Sequence, residues 1–268
     1  MIDGILPHHR DTIQRVTEHF QADPRYLALI VGGSVAKRRA RPDSDLDIML
    51  IVGDDEFARR SARQSDHFVT SDLADLSLHS EGQVEGKLFD WQFLVDAAER
   101  GSEPTRFSFV DAFIAYSHLP ELAALLRAIA TYPVHEQRAK IRSFGGQVAL
   151  WSWYVPEAEK RRDAFTLAYA AANLALFAGR LLLAHNQMLY PGPKWFMTEL
   201  RRAPQKPERL IELLEALLRE PGSQNSAAVF DGIIQYRDWG LATQDVVAAF
   251  TEDTERKWRQ GRPDVADW

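Results

Sequence analysis

Apolar and polar positions follow two different periods along the chain, and the change of period divides it. In 8–20, Ile13, Val16 and Phe20 share one face at helical spacing, which predicts an amphipathic helix. Short apolar runs then predict strands at 27–31, 46–52, 68–70, 73–78 and 87–95. Strand patterns cease within 101–120. The first part is therefore expected to be a small mixed α/β domain.

Beyond residue 120 the apolar spacing is helical throughout, and prolines separate the segments. The predicted helices are 121–130, 136–154, 156–186, 193–202, 207–219, 225–239 and 243–260. We expect an α+β protein in which a mixed-sheet domain, 1–118, is followed by an all-helical bundle, 119–268.

The connection between the first two strands carries the strongest chemical signal. Its sequence from Leu29 is LIVGGSVAKRRARPDSDLDIMLIV. After the first apolar run the chain turns at Gly32-Gly33-Ser34, and Ser34 sits where a helix would begin. Glycines allow close approach to a ligand, and the amides and dipole of a helix start favour an anion. The turn is thus a candidate phosphate site.

Two carboxylates open the second strand. Asp45 and Asp47 are two residues apart, so both project to the face opposite Leu46 and Ile48. At a separation of about 4 Å they would repel by roughly 4 kcal/mol at an effective dielectric near 20. A divalent cation removes this repulsion, and hard oxygen ligands suit Mg²⁺. The pair is a candidate metal site.

The turn and the acid pair together resemble the nucleotidyltransferase superfamily that includes DNA polymerase beta and the aminoglycoside nucleotidyltransferases. Gly33-Ser34 and Ser44-Asp45-Leu46-Asp47-Ile48 match its signature. The resemblance implies two Mg²⁺ ions held by Asp45, Asp47 and a third carboxylate from a later strand. Asp90 matches that third position and would be a metal ligand and candidate base. Asp75 is its main competitor; Glu81 and Glu85, taken as loop residues, have weaker claims.

The resemblance also implies residues that contact the nucleotide. Gly33 and Ser34 would hold the β and γ phosphates. Lys37, one turn further on, either reaches an anion or belongs to a solvated helix face. The segment Tyr190-Pro-Gly-Pro-Lys194-Trp195 resembles an element of some bacterial nucleotidyltransferases. Lys194 falls in a first helical turn, where the dipole disfavours a cation unless it faces an anion such as a triphosphate.

Two further polar features have open or structural interpretations. His8 and His9 are interpreted as surface histidines and not as a metal pair, because adjacent helical residues do not share a face. Tyr169, Asn173 and Arg180 form a polar stripe in an otherwise apolar helix. The stripe either lines a cleft or forms an internal hydrogen-bond network.

Composition narrows the functional class. Hydrophobic residues make up 46% and charged residues 26%, as in ordinary globular proteins, and the chain has no cysteine for disulfides or thiolate metal sites. Neither a signal peptide nor an apolar run of membrane-spanning length is recognised, so a cytoplasmic protein without a membrane partner is expected.

Residues 1–118 contain 13 Lys+Arg against 20 Asp+Glu, whereas the remainder contains 19 Lys+Arg against 18 Asp+Glu. Without a basic surface, nucleic acid is an unlikely partner.

The expected reaction is transfer of a nucleoside monophosphate from an NTP, most simply ATP, to a hydroxyl of a small molecule, with release of pyrophosphate. An aminoglycoside-like antibiotic is the leading analogy for the acceptor, which would make antibiotic resistance a role. A protein hydroxyl is an open alternative, as is a catalytically silent nucleotide-binding regulator. A Rossmann oxidoreductase is disfavoured because Gly32-Gly33-Ser34 lacks the Gly-x-Gly-x-x-Gly spacing.

Overall fold

The computed structural model describes residues 4–63, 67–68, 83–261, 265–266 and 268. The chain forms two compact units. The first contains 1–101 and 105–131, and the second contains 102–104 and 132–268. The α+β class with a helical C-terminal part is confirmed.

A five-stranded mixed sheet forms the centre of the first unit, with strand order β3-β4-β2-β1-β5. The strands β2 and β4 are parallel, and the other neighbours are antiparallel. The strands are β1 Tyr26–Val31, β2 Leu46–Val52, β3 His67–Phe68, β4 Val84–Phe89 and β5 Phe113–Ser117.

Helices cover both faces of this sheet because β1 and β2 are apolar on both sides. Leu29 and Leu50 belong to the cluster that α1 covers, whereas Ile30 and Ile51 pack into the cluster that α4 and α6 cover. The helices of this unit are α1 Pro7–Gln21, α2 Gly33–Ala36, α3 Asp54–Ser61, α4 Trp91–Arg100, α5 Glu103–Ser108, which crosses the unit boundary, and α6 Leu122–Ala130.

Three details of the first unit correct the sequence-based expectations. The strand predicted over 87–95 ends at Phe89, since Asp90 caps the helix that follows. Strand β5 was not predicted. The boundary after residue 118 falls too early, because α6 buries Leu122 and Ile129 in the first unit. Most of the strands predicted at 68–70 and 73–78 lies outside the described residues.

Helices make up the second unit: α7 Gln137–Arg161, α8 Ala164–His185, α9 Phe196–Arg202, α10 Leu210–Arg219, α11 Ser223–Ile234 and α12 Thr243–Thr251. Short 3₁₀ turns occupy Val134–Glu136, Pro193–Trp195 and Lys257–Gln260, and Glu252–Arg256 is a π-helical turn. The break predicted at Pro156 is wrong: α7 runs through it to a left-handed Arg162, and Asp163 caps α8 by accepting from Thr166 N at 3.0 Å.

Helix α8 is long and apolar enough, by length and composition, to cross a membrane. The sequence-based statement that no run reaches this length is therefore wrong. Its 18-residue apolar window is 67% buried within the protein, as in the core helix of a bundle.

Candidate functional site

The turn between β1 and α2 is built directly against Asp47. The N–H of Gly32 donates to the carbonyl oxygen of Asp47 at 2.9 Å. Gly33 adopts a positive φ of 61°. A Cβ placed on Gly33 would lie 1.7 Å from Oδ2 of Asp47, so no side chain fits there. The predicted phosphate turn and the predicted metal ligand are therefore adjacent, and Ser34 follows as a half-buried residue.

The two aspartates stand at the start of β2, as predicted. Asp47 is half-buried, and Asp45 is exposed one residue before the strand. Oδ1 of Asp45 accepts a hydrogen bond from the backbone N–H of Gln83 at 3.0 Å, and Leu46 N donates to Gln83 O at 2.8 Å. These bonds fix the beginning of β2 beside the segment that leads into β4.

The strand register brings a different third carboxylate to Asp47 from the one predicted. In the parallel β2–β4 pair, Asp47 is the direct partner of Glu85, which is half-buried. Directly paired residues of neighbouring strands face the same side of a sheet, because the pleats are in register. Glu85, interpreted from sequence as a loop residue, therefore joins Asp45 and Asp47 on one face.

The structure does not bring Asp90, the predicted third metal ligand, next to Asp47. Asp90 follows Glu85 by five residues, about 16 Å along an extended strand, and so lies toward the opposite end of β4. Its Oδ1 accepts from Phe93 N at 2.7 Å and caps α4. The competing candidates Asp75 and Glu81 lie outside the described residues.

The donor set of this site suits Mg²⁺. In the described part of the chain, no group of three or more His, Asp or Glu side chains lies close enough together to hold a metal ion, so Asp45, Asp47 and Glu85 are not such a group. Mg²⁺ does not need one, since it keeps several waters and takes one or two carboxylates plus substrate phosphates. Asp45 and Asp47 provide that number of carboxylates beside the Gly33 turn.

Lys37 has a structural role. Its side chain is buried, with 9% of the residue exposed. Its ammonium donates to Val110 O at 2.7 Å and lies 4.8 Å from the centre of the Phe107 ring. The predicted contact with a phosphate is not supported, because burial and this hydrogen bond commit the ammonium to the fold.

His9 is a site-supporting residue that sequence analysis missed. The interpretation of a surface histidine is wrong, since His9 is completely buried. Its Nε2 lies 2.9 Å from the carbonyl oxygen of Ser44, the residue before Asp45. The signal was present: His9, Ile13, Val16 and Phe20 follow one another at steps of four, three and four, which places them on the apolar face of α1.

The residues predicted in the helical unit have two different environments. Lys194 is exposed in the 3₁₀ turn Pro193–Trp195. Tyr190 is buried in the core, its N–H donates to Oε2 of Glu103 at 2.8 Å, and its ring lies 4.3 Å from the Arg180 guanidinium carbon. The aromatic ring of Tyr190 is thus a packing element, whereas the Lys194 contact to a triphosphate stays a prediction.

A buried charge network resolves the alternative left open for Arg180. Glu103, Lys140 and Arg180 are all almost completely buried. Oε1 of Glu103 lies 2.7 Å from Nζ of Lys140, and Oε2 lies 3.2 Å from Nη2 of Arg180. Among the described contacts, none links Tyr169 or Asn173 to this network. Tyr169 is half exposed, and the side-chain amide of Asn173 donates to the carbonyl oxygen of Tyr169. Arg180 therefore belongs to an internal network.

No protein-family model matches the chain, and the comparison with curated proteins gives no match. Among solved structures, a nucleotidyltransferase-like protein from Exiguobacterium sibiricum 255-15 is similar over 94% of this chain and 80% of its own. The two share 12% sequence identity with a TM-score of 0.49. A similarity at this level does not assign the chain to a family.

Proposed function

We propose that this protein is a Mg²⁺-dependent nucleotidyltransferase that moves a nucleoside monophosphate from an NTP to a hydroxyl of a small molecule. The observation that carries the proposal is the packing of Asp47 against Gly33. It juxtaposes a turn suited to phosphates with a carboxylate suited to a metal, and a reaction on a nucleotide needs both in one place.

Each residue of the site has a defined task in this reaction. The backbone at Gly33 and the hydroxyl of Ser34 bind the β and γ phosphates, and Asp45 and Asp47 hold Mg²⁺. Bound Mg²⁺ neutralises charge on the phosphates and lowers the barrier to displacement. The acceptor oxygen bonds to the α phosphorus, the α–β bridging bond breaks, and pyrophosphate leaves with that electron pair. Glu85 replaces Asp90 as the carboxylate that takes the hydroxyl proton.

The charge of the chain bears on the acceptor. Residues 1–118 carry 20 Asp+Glu against 13 Lys+Arg, so their long-range field favours a cationic acceptor over an anionic polymer. A polyamine-type molecule such as an aminoglycoside fits this bias, with ATP as the simplest donor. Lys194 is retained as the candidate triphosphate contact.

The test is transfer of label from α-labelled ATP, GTP, CTP and UTP to a panel of aminoglycosides, with Mg²⁺ and with EDTA. Asp45→Asn and Asp47→Asn should each remove several kcal/mol of metal-dependent stabilisation of the transition state. The transfer rate should then fall by at least about a hundredfold. Asp43→Asn is the matched control, since Asp43 is exposed nearby and pairs with Arg41. Activity of either site variant within about tenfold of wild type, roughly 1.4 kcal/mol, would exclude the metal assignment.

A further inference from the structure

The helical unit contains a cavity of about 390 Å³ that the proposed reaction does not use. Small-molecule sites in proteins typically span about 300 to 1,000 Å³. Its walls come from the start of α7, from the connection between α11 and α12, and from the first turn of α12. The lining includes Arg138, Ile141, Arg142, Trp239, Leu241 and Asp245.

Positive charge predominates in this cavity. Arg138 and Arg142 are four residues apart on α7, so they project from one face of the helix. Both are exposed, and within the described ranges neither has an ion pair or a hydrogen bond through its side chain. Asp245 is the one acid in the lining. Two guanidinium groups are therefore available to an anion at the mouth of a preformed space.

Trp239 supplies an aromatic ring to the lining of the same cavity, and two contacts fix the position of that ring. The indole Nε1–H of Trp239 donates to Ile233 O at 2.9 Å. The guanidinium carbon of Arg237 lies 5.3 Å from the centre of the Trp239 ring. A ring held by a hydrogen bond and a cation–π contact is preorganised, so a ligand that packs against it loses little side-chain entropy.

The connection that carries Trp239 has one internal hydrogen bond and one contact to α7. Gly240 N donates to Oδ1 of Asp238 at 2.8 Å. Leu241 packs into a notch at Gly145 of α7, where a Cβ would come within 2.2 Å of Leu241 Cδ1. These contacts fix the position of the connection beside α7.

We propose that this cavity binds a small organic phosphate that carries a planar ring, of the size of a nucleoside monophosphate. One guanidinium can satisfy a carboxylate through a bidentate contact. A phosphomonoester has three terminal oxygens and about −1.5 to −2 charge at pH 7. It can therefore accept hydrogen bonds from both Arg138 and Arg142, and its attraction to them exceeds the repulsion from Asp245. The planar ring packs on Trp239 and Ile141. The site goes beyond the proposed transfer reaction, because it needs neither a metal nor a triphosphate.

The test is calorimetric titration of the full chain with AMP in EDTA, on the Asp45→Asn/Asp47→Asn background that disables the transfer site. Inorganic phosphate and adenosine serve as half-ligand probes. We expect one AMP per chain, with AMP tighter than either half. Arg138→Ala and Arg142→Ala should each weaken AMP by about tenfold or more, the loss of a charge-assisted hydrogen bond. Trp239→Leu should weaken AMP but not inorganic phosphate.

Lys160→Ala is the matched control, because it removes one positive charge from the far end of the same helix, α7. It should leave AMP affinity within about twofold of wild type, since exposed charges beyond a Debye length are screened. Circular dichroism confirms that each variant is folded. Absence of AMP binding, adenosine binding as tightly as AMP, or equal losses in Lys160→Ala and Arg138→Ala would each overturn the proposal. None of these results depends on whether the protein transfers nucleotides.

Discussion

The Cα of Gly33 lies so close to the carboxylate of Asp47 that a Cβ on Gly33 would fall 1.7 Å from Oδ2. The contact joins the first turn after β1 to the first half of β2. Gly33 also has a positive φ, a conformation that L residues with side chains rarely adopt. Two independent constraints thus require glycine here, and the steric one involves Asp47, the proposed metal ligand.

Gly33→Ala should therefore abolish transfer by displacing the Asp47 carboxylate. The strained φ adds about 1 to 3 kcal/mol of destabilisation. Steady-state transfer assays and a thermal melt measure the two effects. Gly32→Ala is the matched control: its Cβ would meet only the terminal Cε of the Met49 side chain at 2.8 Å and, at 3.5 Å, the Ser108 carbonyl oxygen. Full activity in Gly33→Ala would show that the turn and the acid are not one site.

The sequence determined those parts of the fold that have a strong local pattern. Strand β2 was predicted with its correct bounds, Leu46–Val52, because apolar residues alternate with the acids and then become continuous. Strand β5 was missed because Phe113–Ser117 is an edge strand with only one buried residue. Its sequence therefore shows no clear alternation of apolar and polar positions. Pro156 predicted a break that α7 tolerates, since packing outweighs the loss of one helical hydrogen bond.

The candidate site divides in the same way between local and non-local information. Gly33, Asp45 and Asp47 lie within one strand–turn–strand segment, so spacing alone identified them. The neighbour of Asp47 on β4 depends on the register of two strands far apart in sequence, and no local rule distinguishes Glu85 from Asp90. The role of His9 depends equally on where α1 meets Ser44.

Glu85→Gln should reduce transfer by about a hundredfold or more, the usual contribution of a general base. Asp90→Asn should retain wild-type activity and stability, because Asn caps a helix about as well as Asp. Asp90→Ala should lose about 1 kcal/mol of stability through the lost hydrogen bond to Phe93 N. If Asp90→Asn were inactive while Glu85→Gln was active, the register argument would be wrong.

Glu103→Gln should destabilise the helical unit by about 3 kcal/mol, because removing the charge of one partner leaves Lys140 and Arg180 buried with too little compensation. Urea unfolding followed by tryptophan fluorescence reports on this unit, since every tryptophan except Trp91 belongs to it. Glu215→Gln is the control: it removes a surface pair with Arg201, worth at most about 1 kcal/mol. Equal effects in the two variants would argue against a stabilising network.

The pH dependence of this unit should carry a contribution from His185. Burial lowers the pKa of His185 below its usual 6.5, and the positive charge of Arg237 lowers it further. In the unfolded chain the imidazole titrates near its reference value of about 6.5. As the pH falls, the unfolded state therefore takes up the proton first, and the folded state loses stability. The contribution of neutral His185 to the free energy of unfolding is fully present above about pH 6.5. It is lost as the pH falls toward the lowered pKa of the folded state.

Urea midpoints measured from neutral to mildly acidic pH should accordingly fall more steeply for wild type than for His185→Asn. The asparagine keeps an oxygen that can accept from Arg237, whose Nη1 lies 2.8 Å from Nδ1 of His185, but it has no proton to gain. His135→Asn is the matched control, because the side chain of His135 is 75% exposed. It should preserve the wild-type slope. A His185→Asn protein with the wild-type slope would show that protonation of His185 is not linked to unfolding.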